Sequence, residues 1–223
     1  MQPRTIFITG AARGIGSAIA ARYQSLGHQV VAPSRGELDL GSVDSIRRYL
    51  ADHADLEVEV LINNAGENRP ELIDGMPWEE WQRILTVNLS SILLLMQGFS
   101  PGMRRRKWGR IVSISSIYSV VSREGRSAYS ASKAGLNALT RTAALEWGAD
   151  GVLVNCVLPG FVATELTRQN NSPEQIATLA SLTALKRLAQ PEEIAELVLF
   201  LGSETNTYIT GQALPIDGGF LCT

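Results

Sequence analysis

The chain has 223 residues, 45% hydrophobic and 19% charged, a length and balance that suit one globular domain and exclude disordered and collagen-like classes. Twenty Lys and Arg against 22 Asp and Glu leave a net charge of −2, so no overall basic field draws the protein to nucleic acid or an anionic membrane. Cys156 and Cys222 are its only cysteines, too few for a disulfide scaffold and suited to a reducing compartment.

The N-terminus, Met1-Gln2-Pro3-Arg4, runs directly into Thr5–Thr9 without the apolar stretch of a signal peptide, so a cytoplasmic protein is expected. The longest wholly apolar run, Ile92–Met96, falls far below the roughly 20 residues of a membrane helix, and no spanning segment is expected. In chain order, Thr5–Thr9, Gln29–Ala32, Val58–Ile62, Arg110–Ser115, Val152–Leu158 and Gln212–Ile216 read as strands, with a short further strand expected at Leu38–Leu40. Between them apolar residues recur at helical spacing: Ile15, Ile19, Tyr23 and Leu26; Val43, Ile46 and Leu50; Trp78, Trp81, Ile84 and Leu85; Ile194, Leu197, Val198 and Leu201. Nearly continuous apolar strands alternating with helices predict a doubly wound α/β fold, a parallel sheet with helices on both faces. No linker or repeat divides residues 1–223, which read as a single domain. Only Pro33–Glu37 separates the second strand from Leu38, too short for a helical crossover; either that helix is absent or Leu38–Leu40 is not a strand.

After the first strand comes Thr9-Gly10-Ala11-Ala12-Arg13-Gly14-Ile15-Gly16. Its glycines allow a sharp turn and a close backbone approach to a pyrophosphate, and the following helix start offers N–H groups and a positive dipole end. The second strand runs out into Ser34 and Arg35, a hydroxyl and a guanidinium placed for a ribose 2′-phosphate, and Arg13 adds a second cation. This favours NADP(H), with NAD(H) the alternative; Glu37 and Asp39 are the rival acids.

Ser116 follows the strand 110–115, and Tyr129 and Lys133 lie four apart at the start of a helix, on one face. A phenol with an ordinary pKa near 10 is a poor acid–base group at neutral pH, but a nearby ammonium and a cationic nicotinamide would lower it. His28 and His53, the only histidines, lie near no cysteine pair, and no metal site is expected.

The set TGxxxGxG at Thr9–Gly16, Asn63-Asn64-Ala65-Gly66, Val87-Asn88-Leu89, Ser116, Tyr129-x-x-x-Lys133, Pro159-Gly160 and Asp217-Gly218-Gly219 resembles the short-chain dehydrogenase/reductase family, in order and over essentially the whole chain. The overall likeness is greatest to bacterial 3-oxoacyl-(acyl-carrier-protein) reductases. The resemblance implies a Rossmann fold with strand order 3-2-1-4-5-6-7 and a hydride transfer between nicotinamide and a carbonyl or secondary alcohol. It assigns catalysis to Asn88, Ser116, Tyr129 and Lys133. Ser116 would bind the substrate oxygen, and Tyr129 would exchange its proton. Lys133 would hold the nicotinamide ribose and lower the Tyr129 pKa, and Asn88 would anchor a relay water. It places the cofactor against Gly10, Arg13, Gly14, Ile15, Ser34, Arg35, Asp39, Leu40, Asn64, Ala65, Gly66, Tyr129, Lys133, Pro159, Gly160, Val162 and Thr164. Asp39 would meet the adenine, and Thr164 the carboxamide or phosphate.

Partners expected are a small carbonyl or alcohol substrate, acyl thioesters among the candidates, and further copies of the chain as a homotetramer or homodimer. The small-residue helix 129–147 and the Asp217-Gly218-Gly219 turn would form the interfaces. Ile117, Tyr118, Phe161, Val162 and the polar stretch Arg168–Pro173, a candidate lid, would meet the substrate. Arg104–Lys107 reads first as a solvated helix end and second as a contact for an acidic carrier, with Asp150 on the same rim. The alternatives are an NAD-linked alcohol or polyol dehydrogenase and a non-catalytic dinucleotide sensor. The four retained catalytic residues weigh against a sensor.

Overall fold

The computed structural model describes residues 3–169 and 171–222. Six strands form one parallel sheet: β1 (Thr5–Ile8), β2 (Gln29–Val31), β3 (Val60–Asn63), β4 (Gly109–Ile114), β5 (Val152–Pro159) and β6 (Ala213–Ile216), in the order β2-β1-β3-β4-β5-β6. The helices are α1 (Gly14–Ser25), α2 (Val43–Asp52), α3 (Trp78–Leu85), α4 (Ser91–Arg105), α5 (Ser127–Trp147), α6 (Glu165–Gln169), α7 (Pro173–Ser181) and α8 (Pro191–Leu201). This is the expected doubly wound fold.

The period of two along each strand divides the core into two layers. Phe7, Leu61, Ile111, Val154 and Leu158 point to one face and pack with Ile46 and Tyr49 of α2, Leu95 and Phe99 of α4, and Leu136 of α5. Ile6, Ile8, Val60, Ile62, Val112 and Val157 point to the other and pack with Ile19 and Tyr23 of α1 and Ile194 and Val198 of α8. Because the sheet is covered on both sides, its central strands are buried throughout.

The seventh strand does not form. Leu38–Leu40 lies in the link between β2 and α2, and β2 is the sheet edge; the expected order stands with its outermost strand removed. No helix precedes Leu38 either. Instead the Glu37 and Leu38 N–H groups bond back to the Ser34 carbonyl, 3.1 and 3.0 Å away, closing a turn. Leu38 is driven into the α2-side core, 4% exposed, a burial that contributes about 2 kcal/mol. A short link satisfies its own backbone as a turn and anchors itself with one apolar side chain, where a strand would need a crossover to reach register. Outside β2 a groove of about 460 Å³ remains, lined by Val31, Pro33, Tyr49, His53 and Leu56 among others.

Helices α3 and α4 run on through a π-helical turn at Thr86–Ser90. The combined helix Trp78–Arg105 is long and apolar enough on average to cross a membrane, which the longest unbroken apolar run had not indicated. Half of its apolar window is buried inside the protein, where Ile92, Leu95, Met96 and Phe99 fill the core. It is a core helix of this fold.

Candidate active site at the carboxyl ends of the strands

In a parallel sheet every strand delivers its following loop to the same edge, so loops distant in sequence meet there. Here β1, β3, β4 and β5 supply the glycine loop, Asn64–Glu67, Ser115–Tyr118 and Gly160–Thr164, and the chain reverses its direction of growth between β1 and β3.

The glycine loop is held by its neighbour. Thr9 Oγ1 accepts from the Asn64 and Ala65 N–H groups, both at 3.1 Å, while Asn64 Nδ2 donates to the Thr9 and Gly10 carbonyls at 3.0 and 2.9 Å. Gly10 and Gly14 have positive φ, 69° and 59°, a conformation that favours glycine. A Cβ at Gly16 would strike the Gly10 carbonyl. Arg13 stands at the start of α1 without a side-chain cap, and the first turn holds no acid. The first N–H groups of the helix therefore face outward, available to an anion. Thr164 sits against this loop, its Cγ2 3.3 Å from where a Gly14 Cβ would lie. Gly160 is fixed by its N–H bond to the Ile216 carbonyl, 3.0 Å, and Val162 is bridged to Ala189. These residues fit a dinucleotide: the turn, the open helix start and the small residues beneath it are what a pyrophosphate needs.

The adenosine side is open. Ser34 and Arg35 are exposed, and the Arg35 guanidinium has only a 3.9 Å contact with Asp39. Asp39 is bound locally, its Oδ1 accepting from the Gly41 N–H at 3.0 Å. Leu40 packs against the α2-side core. Glu37 folds back on Ser34, accepting from its N–H at 2.7 Å. That bond, with another from the Ser34 hydroxyl, holds the Glu37 carboxyl below its ordinary pKa.

At the other end of the cleft Ser116, Tyr129 and Lys133 converge. Ser116 caps the turn Ile117–Ser119, its Oγ accepting from the Tyr118 N–H at 3.1 Å, and its hydroxyl stands near enough to the Tyr129 phenol to favour the phenolate. Lys133 is 2% exposed, its Nζ donates to the Ile114 carbonyl at 2.7 Å, and it lies 5.7 Å from the centre of the Tyr129 ring. Burial pushes its ammonium down to about 8. Burial raises the Tyr129 pKa, and the opposing pull of the Ser116 hydroxyl and the Arg126 charge is too small to reverse it.

Asn88 is fully buried in the π turn. Its Oδ1 accepts from the Glu67 N–H at 2.8 Å, and its Nδ2 donates to the Glu67 carbonyl at 2.8 Å and to Ser132 Oγ at 3.1 Å. The side-chain amide thus clamps the loop after β3 to α5. π turns of this kind recur at functional sites. Motif reading missed Glu67, which is doubly paired with Arg83 at 2.8 and 2.6 Å, and Ser132, whose position next to Lys133 was the available signal. It also missed Arg126, discussed below.

The candidate lid Arg168–Pro173 runs from the end of α6 to the start of α7; Asn170 within it lies outside the described residues, as do Met1, Gln2 and Thr223. The basic run is engaged: Arg104 and Lys107 bind Asp150 at 2.6 and 2.5 Å, and Arg106 pairs with Glu57. This favours the plainer reading of a helix end. Among the described residues no group of His, Cys, Asp and Glu could hold a metal ion.

Residues 37–221 match the family model described as enoyl-(acyl carrier protein) reductase. Among curated proteins the chain is similar to the 3-oxoacyl-[acyl-carrier-protein] reductase FabG of Vibrio cholerae, 35% identical over 98% of both chains. The protein of the same name from Escherichia coli is 34% identical over 95% of both. Among solved structures it is similar to an oxidoreductase of the short-chain dehydrogenase/reductase family from Burkholderia thailandensis, with TM-score 0.86, 32% identity, and coverage of 100% of this chain and 94% of that one.

Proposed function

The chain belongs to the short-chain dehydrogenase/reductase family of nicotinamide-dinucleotide oxidoreductases, and from that premise we propose that it is an NADP(H)-dependent carbonyl reductase, or dehydrogenase of the matching secondary alcohol. The observation that carries this reading is the meeting of Ser116, Tyr129 and Lys133 at one end of the cleft whose other end is the open α1 start. When bound, the dinucleotide supplies or accepts the hydride.

The chain's own residues manage position and the proton. Ser116 orients the substrate oxygen beside the phenol, and the Tyr129 hydroxyl gives a proton to that oxygen or takes one from it. In the free protein the high Tyr129 pKa keeps the phenol protonated, ready to donate in the reducing direction. Lys133 is held by the Ile114 carbonyl where it can bind a ribose hydroxyl and hand protons on. With its pKa near 8, it changes charge close to physiological pH. Asn88 is a positioning residue, fixing Glu67 and Ser132 around that lysine.

Gly10, Arg13, Gly14 and Ile15 would hold the pyrophosphate, Asn64, Ala65 and Gly66 the adenosine ribose, and Asp39 with Leu40 the adenine. Pro159, Gly160, Val162 and Thr164 would hold the nicotinamide half. NADP(H) is favoured over NAD(H) because Arg13 and Arg35 are exposed cations on the adenosine side, and the two acids nearby are already bonded, Glu37 to the Ser34 N–H and Asp39 to the Gly41 N–H. The assembly we propose is a homotetramer. Ala134, Ala138, Thr142 and Leu145 form an exposed stripe along α5, and Leu145 is 86% exposed, a face suited to a second copy. The unpaired cysteines suit the cytoplasm.

The test is a panel of ketones and 3-oxoacyl thioesters, the latter prompted by the relatives' names, assayed with NADPH and NADH. Turnover of at least one carbonyl compound, faster with NADPH, is expected. Absence of turnover with either nucleotide would overturn the enzyme reading in favour of a sensor.

A further inference from the structure

Arg126 stands just before α5, three residues ahead of Tyr129, and its side chain makes no cap to that helix. Its Nε is buried and has no hydrogen-bond partner. Its guanidinium carbon lies 6.0 Å from the centre of the Tyr118 ring, and that of Arg123 lies at the same distance from the same ring. Tyr118 in turn stands edge-on to Tyr129, ring centres 6.5 Å apart. Arg126 is close enough to the phenol for its charge to favour the phenolate.

Neither Arg123 nor Arg126 has a carboxylate partner among the described residues, whereas Arg4, Arg22, Arg69, Arg83, Arg104, Arg106 and Arg187 all do. The acid best placed to supply one is Glu71, whose backbone bridges to Arg126. It turns its carboxylate back to its own following N–H, at Leu72, 3.1 Å away. A half-buried guanidinium with an unused donor is costly unless something answers it. Its planar fork matches a carboxylate in charge and shape.

We propose that Arg126, with Arg123 behind it, is a specificity-determining residue that binds a carboxylate on the substrate, so that the preferred carbonyl compound is an oxo acid and its reduced form a hydroxy acid. This rests on the reductase reading and narrows it to substrates whose carboxylate lies a few bonds from the reacting carbon. A role confined to the ionisation of Tyr129 would treat charged and neutral substrates alike, and the test uses that difference.

The experiment compares 2-, 3- and 4-oxopentanoate with their methyl esters, using the full chain with NADPH. At least one acid is expected to exceed its ester in kcat/KM by about 10- to 100-fold, the range of a charge-assisted hydrogen bond pair. Arg126→Gln should collapse that ratio toward one, mainly through KM for the acid, and Arg126→Lys should keep much of it. Equal turnover of acids and esters by the unaltered protein, or an acid-to-ester ratio unchanged in R126Q, would overturn the proposal. Calorimetric binding of the same acids in the presence of NADP+, where no reduction occurs, separates the two readings. Acid binding lost in R126Q supports the carboxylate site even if no carbonyl compound is turned over, and no acid binding to the unaltered protein refutes it.

Discussion

The two ends of the cleft are built differently. At the catalytic end, Ser116, Lys133 and Asn88 are each less than 9% exposed and fixed by hydrogen bonds to backbone or neighbouring side chains. At the adenosine end, Ser34 and Arg35 lie on a turn at the sheet edge, exposed and weakly partnered. Proton transfer, the role proposed for that end, requires groups held to a fraction of an ångström, and of its three residues Ser116 follows β4, Asn88 sits in the π turn and Lys133 sits in the long helix α5. Recognition of a phosphate needs only a reachable cation, so it can be left to a loop and changed without disturbing the chemistry.

The largest expected effect tests the catalytic end. Tyr129→Phe removes the hydroxyl proposed to exchange the proton while keeping the ring, and should lower kcat by about 10³-fold or more. Fluorescence titration should find NADPH affinity changed little; retained turnover would break the contrast at its firmest point. The next concerns the link at the other end. Leu38→Ala should destabilise the protein by about 2–4 kcal/mol in urea unfolding, since Leu38 is the link's buried anchor. Loss near zero would mean that the edge is loose even at its core contact.

A smaller effect is expected at the loop surface. Arg35→Asp should shift the ratio of NADPH to NADH efficiency by about 10-fold toward NADH, the value of one exposed phosphate contact, and Glu37→Gln should shift it in the opposite direction by less. An unmoved ratio in both variants would remove the cofactor argument.

The smallest change in stability is a gain. Lys133→Met should abolish turnover yet raise stability by about 1–2 kcal/mol at pH 7, the cost of burying an ammonium less its lost bond to Ile114. The sign follows from the lysine's titration. Between about 8, its folded pKa, and 10.5, the ordinary value, the unfolded chain holds a proton that the folded one does not. Stability of the unaltered protein therefore rises with pH across that window. The advantage of Lys133→Met should be full below pH 8 and vanish toward 10.5 in thermal melts across pH. A melting temperature lowered by the substitution at pH 7 would show that the lysine stabilises the catalytic end.

Much of this was legible in the chain because it depends on local chemistry. The glycine spacing at Thr9–Gly16, the four-residue step from Tyr129 to Lys133 and the alternation of apolar strands with amphipathic helices are each imposed within a few residues by backbone geometry. The strand expected at Leu38–Leu40 was misread because an apolar, polar, apolar triplet also suits a turn that buries one side chain. Strand formation needs a partner in register, which no local pattern supplies.

The sequence by itself determined the layered α/β fold, the glycine turn after β1, and the hydroxyls of Ser116 and Tyr129 and the ammonium of Lys133 that the proposed chemistry uses. Only the tertiary structure decided the missing edge strand, the use of Asn88 as a clamp on Glu67 and Ser132, the raised phenol of Tyr129, and the uncompensated charge of Arg126. The physical reason is common to these four. Pairing, burial and charge balance depend on what the rest of the chain brings within a few ångströms, and a residue's type states only what it can do once those neighbours are in place.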